Sequence, residues 1–392
     1  MTHAADAFDV VIVGGGVIGC AVAAFLLDDP AFAGRVAVVE RDPTYRDASS
    51  ALSASSIRQQ FSTPENIRMS RFGFEFLRSL AGGPDPVDVG LQARGYLYLA
   101  PSGGAATLRD VHAIQEAEGA QVALLSAAEL AARFPWMSLD GVEAGALGLA
   151  REGWFDGFGL LQALRRRAVA RGAEFIRDEV IGLVKGNSRI DLVTLASGRS
   201  VGCGTVVNAA GPWAHEVAAM AGVELPVEAR RRCVFVFNAR DPVPDCPLVV
   251  DTSGIWFRPE GDAFLCGTSP PESEDHDGLP LSVDWRQFDD LLWPALAARV
   301  PAFDAIKPVR AWAGYYEYNV VDQNAIVGRH PELANLVFAN GFSGHGIQHA
   351  PAVGRAVTEL IAHGRYTTID LSVFGYERFA AGRPVIERNV IG

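Results

Sequence analysis

Cysteine is scarce and unpatterned in this 392-residue chain: Cys20, Cys203, Cys233, Cys246 and Cys266 are the five, an odd total without a C-x-x-C spacing. That excludes a disulfide framework or a thiolate metal cluster and leaves them as small buried hydrophobes. Of the eight histidines only His345 and His349 stand at a ligand-like spacing, with no carboxylate or cysteine near them in the sequence, so no metal is expected. No run approaches the roughly 18 apolar residues that span a bilayer, and residues 1–9 lack the basic start and apolar core of a leader, which points to the cytoplasm. The net charge of −12 comes without a basic stripe, so nucleic acid has no electrostatic footprint to bind. Repeats, low-complexity linkers, Ser/His/Asp arrangements and paired carboxylates are missing too, which argues against solenoid architecture and against nucleophilic or glycosidic chemistry.

What is present is apolar bulk and patterned glycine. An apolar fraction of 49% over this length can bury a large core and suits two domains. Residues 14–19 (GGGVIG) follow Val10, Val11, Ile12 and Val13, a β-branched run that reads as a buried parallel strand. They open a helix with Val17, Ala21, Ala24 and Phe25 at helical spacing, which Asp28, Asp29 and Pro30 stop. Gly14 permits the tight turn, Gly16 lets backbone amides approach a pyrophosphate, and Gly19 lets helix and strand pack closely. A second strand over residues 36–39 ends in Glu40, about twenty residues further on, where an acid accepts ribose hydroxyls. Glu40 argues against a 2′-phosphate, although Arg41 follows it.

A second glycine cluster, residues 341–348 (GFSGHGIQ), follows the buried strand of residues 336–339; Pro351 then opens a helix that presents Val353, Val357, Leu360 and Ile361 on one face and that Gly364 closes. Its amino terminus carries unpaired amides and about half a positive charge. A reduced flavin needs such a partner, because hydride puts negative charge on its pyrimidine end, whereas nicotinamide loses its charge on accepting hydride. Pyrophosphate at the first helix and isoalloxazine at the last favour FAD over NAD.

Between these clusters, two kinds of periodicity alternate, which reads as two interleaved domains: an α/β FAD-binding domain from residues 1–81, 151–226 and 323–392, and an α+β substrate domain on an antiparallel sheet from residues 82–150 and 227–322. The polar, small-residue stretch 47–56 can reach a ligand closely. Thr63 as N-cap, Pro64 and Glu65 start a helix that Gly82, Gly83 and Pro84 end.

The segments GGGVIG (14–19), Glu40, VVNAAGPW (206–213) and GFSGHG (341–346) resemble the D-amino-acid oxidase-like flavoenzyme superfamily, in particular its sarcosine oxidase and dimethylglycine dehydrogenase branch, and SSIRQQFS (55–62), AWAGYYEYN (311–319) and residues 341–348 look like the counterparts in one of its members. The resemblance covers nearly the whole chain. It implies a Rossmann-type FAD domain and hydride transfer from a carbon beside an amine to flavin N5, with oxygen or another electron acceptor closing the cycle. FAD contacts implied by it are Gly14, Gly16, Val17, Ile18, Gly19, Glu40, Arg41, Ser49, Ser50, Val180, Ala210, Gly211, Gly314, Gly344, His345, Gly346, Ile347 and Gln348. The cysteine that anchors flavin in sarcosine oxidases corresponds to Gly314, and the histidine of the dimethylglycine relatives falls near Leu52, so the FAD is expected to be noncovalent. The lysine that activates oxygen corresponds to Leu265 or a neighbour, and the lysine after GFSGHGF that helps hold a carboxylate corresponds to Gln348.

Arg58 corresponds to the arginine that holds the substrate carboxylate; a structural arginine bound to Glu65 or backbone carbonyls is the alternative. Arg258 is a second candidate anchor, or a surface residue. Were both to face the cavity, a dicarboxylic amine such as iminodiacetate would fit. His345 is a neutral imidazole beside the flavin or a satisfied core histidine, and Tyr316, with Tyr315 and Tyr318, supplies a hydroxyl and apolar walls or core packing. The expected partner is a small amino acid or amine. The alternatives are a flavin-stabilised assembly or interaction protein with vestigial catalysis, and a D-amino-acid or 2-hydroxyacid dehydrogenase of the same fold.

Overall fold

The computed structural model describes residues 7–83 and 86–388. Residues 1–6, which belong to the reading of the amino terminus, and Pro84 of the helix stop lie outside the described residues.

The β-branched run forms the strand Ala7–Val13, buried on both faces: Val10 and Ile12 join one hydrophobic cluster, Val11 and Val13 another. Only a central parallel strand sandwiched between layers buries side chains this way. It pairs in parallel with Val36–Glu40 and with Ser200–Asn208, which in turn pairs in parallel with Leu336–Asn340. Glu174–Arg177 extends one edge, Ile326–Arg329 the other, and the hairpin Val180–Lys185/Ile190–Leu195 hangs from Ser200–Asn208. In register, Val13 lies opposite both Val39 and Asn208, and Asn208 opposite Phe338. Four strands therefore end at one edge, so Gly14, Glu40, Ala209 and Gly341 emerge together, the edge at which open α/β sheets bind ligands.

Among the helices that cover one face, the first and the last long ones lie against each other. Val17–Asp28 is apolar nearly all round and packs on Gly346–Ala362, whose Gly354 lies so close that a Cβ there would come within 2.8 Å of the Ala21 backbone. This last helix begins at Gly346 and contains Pro351, which corrects Pro351 as its opening: the chain turns helical as soon as Gly344 (φ +92°) has reversed it, and the proline is accommodated inside.

The second sheet runs Ile306–Asn319, Val227–Ala239, Ala263–Gly267, Trp256–Glu260, Leu248–Val250, Tyr96–Pro101, Val142–Gly148, Val122–Ser126. Its pairings are antiparallel except that Leu248–Val250 meets Tyr96–Pro101 in parallel, where the two sequence-distant parts of the sheet join. Its longest strand reaches the glycine loop of the first sheet: Asn319 N–H donates to Ser343 Oγ at 2.9 Å, and Ser343 N–H to the Glu317 carbonyl at 3.0 Å. The five cysteines are buried and free. Among the described residues, no cluster of three or more His, Cys, Asp and Glu could hold a metal ion, and no helix is long and apolar enough to cross a membrane.

Candidate active site

A cavity of about 1000 Å³ runs along the carboxyl edge of the first sheet and under the second, and both glycine clusters line it. At one end stand Gly14, Gly16, Val17 and Ile18. Gly14 has φ +97°, and a Cβ there would collide with the Ala209 carbonyl oxygen at 2.4 Å, so only glycine fits. Gly19 faces away from the cavity; a Cβ on it would strike the Gly14 carbonyl oxygen at 2.0 Å, so its role is to seat the helix on the strand.

Glu40 lines the cavity from the tip of its strand. One carboxylate oxygen accepts Gly15 N–H and the other Asp42 N–H, both at 2.8 Å, which aims the group while burial raises its pKa. Arg41 lies over the Trp213 ring at 3.8 Å, with Glu179 at 3.4 Å. The stretch after it folds back as the short helix Ser49–Leu52. Ser50 Oγ accepts Val17 N–H at 3.0 Å, while Ser49 Oγ is buried with no partner. Val180, Ala210 and Gly211 complete this wall. Aimed amides, an acid and an orphaned hydroxyl fit a dinucleotide cofactor.

At the other end, Gly344, His345, Gly346 and Ile347 wall the cavity together with Gly314, Tyr316 and Glu317. Gly344 presses on the Tyr316 ring, where a Cβ would come within 2.5 Å, and a Cβ on Gly314 would meet Leu52 at 2.9 Å. The positions that correspond to flavin-anchoring residues in the resembling enzymes are thus neighbours here.

Arg58 enters this end and is 4% exposed. It makes no contact with Glu65; its Nη2 donates to His345 Nε2 at 2.9 Å. A guanidinium can only donate, so Nε2 bears the lone pair and the neutral ring carries its proton on Nδ1. Burial first, then Arg58 and His349, holds the His345 pKa well below its ordinary value. Around Arg58 stand the rings of Phe61 at 4.4 Å, Tyr96 at 5.7 Å and Tyr98 at 5.8 Å. Arg58 Nε and the Tyr98 hydroxyl are buried without partners, and among the described residues no carboxylate stands within ion-pair distance of Arg58. Burial opposes the Arg58 charge, but Tyr98, Tyr96, Glu387 and Glu152 outweigh it and raise the pKa; none of them is bonded to the guanidinium, whose donors stay open to an anion.

Besides Gly19, two predicted residues sit elsewhere. Gln348 does not line the cavity: one position past the cavity-facing Ile347, the helix turns it onto the Arg58 loop, where its Oε1 accepts Arg58 N–H at 2.8 Å. It positions Arg58 from behind. Arg258, 3% exposed, faces a second cavity of about 540 Å³ that shares the Ser53, Ala54 and Ser55 wall and includes Leu265. Its head is occupied by Glu260, the Pro259 carbonyl at 2.9 Å and the Ala54 carbonyl at 2.8 Å, so it is not a second anchor in the first cavity.

Sequence reasoning missed the supports. Glu152, buried, accepts Gln59 N–H at 2.6 Å and Gln60 Nε2 at 2.8 Å, and burial pushes its pKa up to about 7. Glu387, near the carboxyl end, accepts Ser62 N–H and Oγ at 2.7 Å, Thr63 N–H at 3.1 Å and Asn66 Nδ2 at 2.7 Å. It caps the helix Pro64–Leu80, for which the Thr63 side chain makes no capping bond. No local pattern marks either residue.

The comparisons agree with this geometry. FAD-dependent oxidoreductase domain-containing protein 1 of Xenopus laevis is 43% identical over 98% of this chain and 85% of its own length. Mitochondrial sarcosine dehydrogenase of Mus musculus is 29% identical over 64% of this chain and 28% of its own. Among solved structures, L-proline dehydrogenase from P. horikoshii superposes with a TM-score of 0.86 at 26% identity, covering 97% of this chain and 100% of that one. The family model described as "DAO: FAD dependent oxidoreductase" matches residues 9–360, and the chain belongs to that family of flavoenzymes, with FAD as its cofactor.

Proposed function

We propose that this enzyme oxidises the C–N bond of a secondary or N-substituted amino acid of the sarcosine, dimethylglycine, iminodiacetate or proline type. The observation that carries the reading is Arg58: a buried guanidinium with no carboxylate bonded to it among the described residues, in an aromatic cage within the cofactor cavity. Two relatives are named for sarcosine and L-proline, both secondary amino acids, which supports the same substrate class.

The FAD supplies a hydride acceptor at N5, and the imine product hydrolyses in water. When bound, its pyrophosphate and ribose would be held by Gly14, Gly16, Val17, Ile18 and Glu40, with Ser49 and Ser50 beside them, and its isoalloxazine by the end walled by Gly314, Gly344, His345, Gly346 and Ile347. The substrate carboxylate takes the Arg58 donors, displacing His345 as acceptor and freeing Nε2. Oxidation needs the neutral amine. Arg58 and desolvation favour that form by penalising a second buried cation, and the weakly basic His345 accepts a hydrogen bond without competing for a charge. Arg258 gives no support to a dicarboxylate, because it faces the other cavity. Gly314 and Leu52 offer no atom for a covalent link, so denaturation in acid is expected to release all the yellow flavin into the supernatant. The open cavity beside Arg58 favours an enzyme over a flavin-stabilised scaffold.

Anaerobic addition of sarcosine, dimethylglycine, iminodiacetate, proline and D-alanine, each separately, tests this. Bleaching of the flavin band by one of the first four is expected; D-alanine alone bleaching it, or none while dithionite still does, overturns the reading. Recovery of colour in air separates an oxidase from a dehydrogenase.

A further inference from the structure

Glu317 is a carboxyl group in the cofactor cavity with no cation paired to it among the described residues. It lies on the strand Ile306–Asn319, opposite Ala229 of the neighbouring strand. Its Oε2 accepts Gly341 N–H at 3.1 Å, and Phe342 N–H lies on the same carboxyl. Its Oε1 lies against the first residue of the last helix, where a Cβ on Gly346 would come within 3.1 Å. The carboxyl thus occupies the end of the cavity where helix amides await the negative charge of a reduced isoalloxazine.

The surroundings hold little compensating charge. Tyr316 and Tyr318 flank it on its own strand, both phenols raised by burial. On the next strand, the charged neighbour on the Glu317 side of the sheet is Arg231, held by the Pro280 and Ser282 carbonyls at 3.3 and 3.2 Å and by Asp284 at 4.0 Å; Glu228 and Arg230, ion-paired at 2.6 Å, and Arg232, bidentate to Asp275 at 2.7 and 3.0 Å, alternate to the other side. From the last helix comes His345, neutral. Burial accordingly pushes the Glu317 carboxyl up to about 8, so it carries its proton at neutral pH. An ionised carboxylate here would repel the charge that the helix end is placed to stabilise; a protonated one can donate.

We infer that Glu317 is a neutral carboxylic acid that donates its O–H to the pyrimidine edge of the bound isoalloxazine and so tunes the flavin potential through a titratable acid. No bond breaks in this role. The proton stays on Glu317, and its loss at alkaline pH turns a donor into a repelling charge. The inference rests on FAD binding with its isoalloxazine at the last helix.

The test uses holoenzyme: midpoint potential against pH, and binding of sulfite, whose addition at N5 loads the same edge with negative charge without turnover. In wild type, sulfite affinity is expected to fall at least tenfold beyond its dependence on sulfite ionisation, and the potential to bend downward, as pH rises through the Glu317 titration. Glu317→Gln keeps a donor without an ionisation and is expected to remove both breaks; Glu317→Leu is expected to bind sulfite at least tenfold more weakly at every pH. Should Glu317→Leu fail to fold, the Gln variant alone decides. Breaks that persist in Glu317→Gln, or a wild type without them, overturn the role. His345→Ala locates the failure: if it alters the flavin spectrum while Glu317→Gln is silent, the isoalloxazine is where we place it and only the Glu317 role falls. If both are silent, the placement falls with it.

Discussion

Arg58 and Arg258 are buried almost equally, at 4% and 3%, yet their donors are spent differently. The Nε of each is buried without a partner, but Arg258 gives its terminal nitrogens to a carboxylate and two carbonyls, while Arg58 gives one terminal N–H to a neutral imidazole. Burial alone therefore does not mark a binding residue. A buried guanidinium with a carboxylate bound directly to it ties its own loops together; one whose terminal nitrogens meet only a neutral imidazole keeps donors that an anion can take.

The largest expected effect comes from Arg58→Met. A charge-assisted bond to a carboxylate contributes about 1.5–3 kcal/mol, so the substrate Kd for anaerobic flavin reduction should rise about 10- to 150-fold. Arg258→Met should leave that Kd within about threefold and instead cost about 1–2 kcal/mol of stability in denaturant unfolding, discounted because Glu260 is half exposed. Equal effects on Kd from the two variants would break the comparison.

Glu387→Ala sharpens it. Removing the carboxylate strands four donors around the Arg58 loop, and a several-fold rise in the same Kd is expected, with less change in the reduction rate at saturation. A fall in that rate with Kd unchanged would mean that the clamp does not act through Arg58.

The smallest effect is the pH profile of the cofactor-free protein. Glu152 and Glu317, raised by burial to about 7 and about 8, keep protons in the folded state that the unfolded chain has released. Their contribution is therefore present at acid pH and lost as pH rises from about 4.5 to about 8. His345 and His349, buried neutral with His349 lowered to about 3, act oppositely: their contribution is lost as pH falls below about 6.5. Thermal melts of the apoprotein should decline on both sides, and Glu152→Gln with Glu317→Gln should flatten only the alkaline side.

The sequence by itself determined the first cradle. Strand, glycine turn, helix and Glu40 lie within one short stretch, and their relations follow from backbone geometry that any reader of the chain can reconstruct. Helix polarity made the second glycine cluster legible as well, whereas Arg58 was singled out by the resemblance, because a lone arginine in a loop carries no local mark. Only the tertiary structure decided which way the later residues face. Gln348 turned onto the Arg58 backbone because it lies on the side of the last helix that meets the Arg58 loop, and Arg258 fell to the other cavity because Ala54 and Glu260 claim its head. Glu317 and Glu387 gained their positions from a strand of the second sheet and from the carboxyl-terminal segment, brought to the site across hundreds of residues. Periodicity tells which face of an element is buried; the order of strands and the closure of loops decide what that face meets.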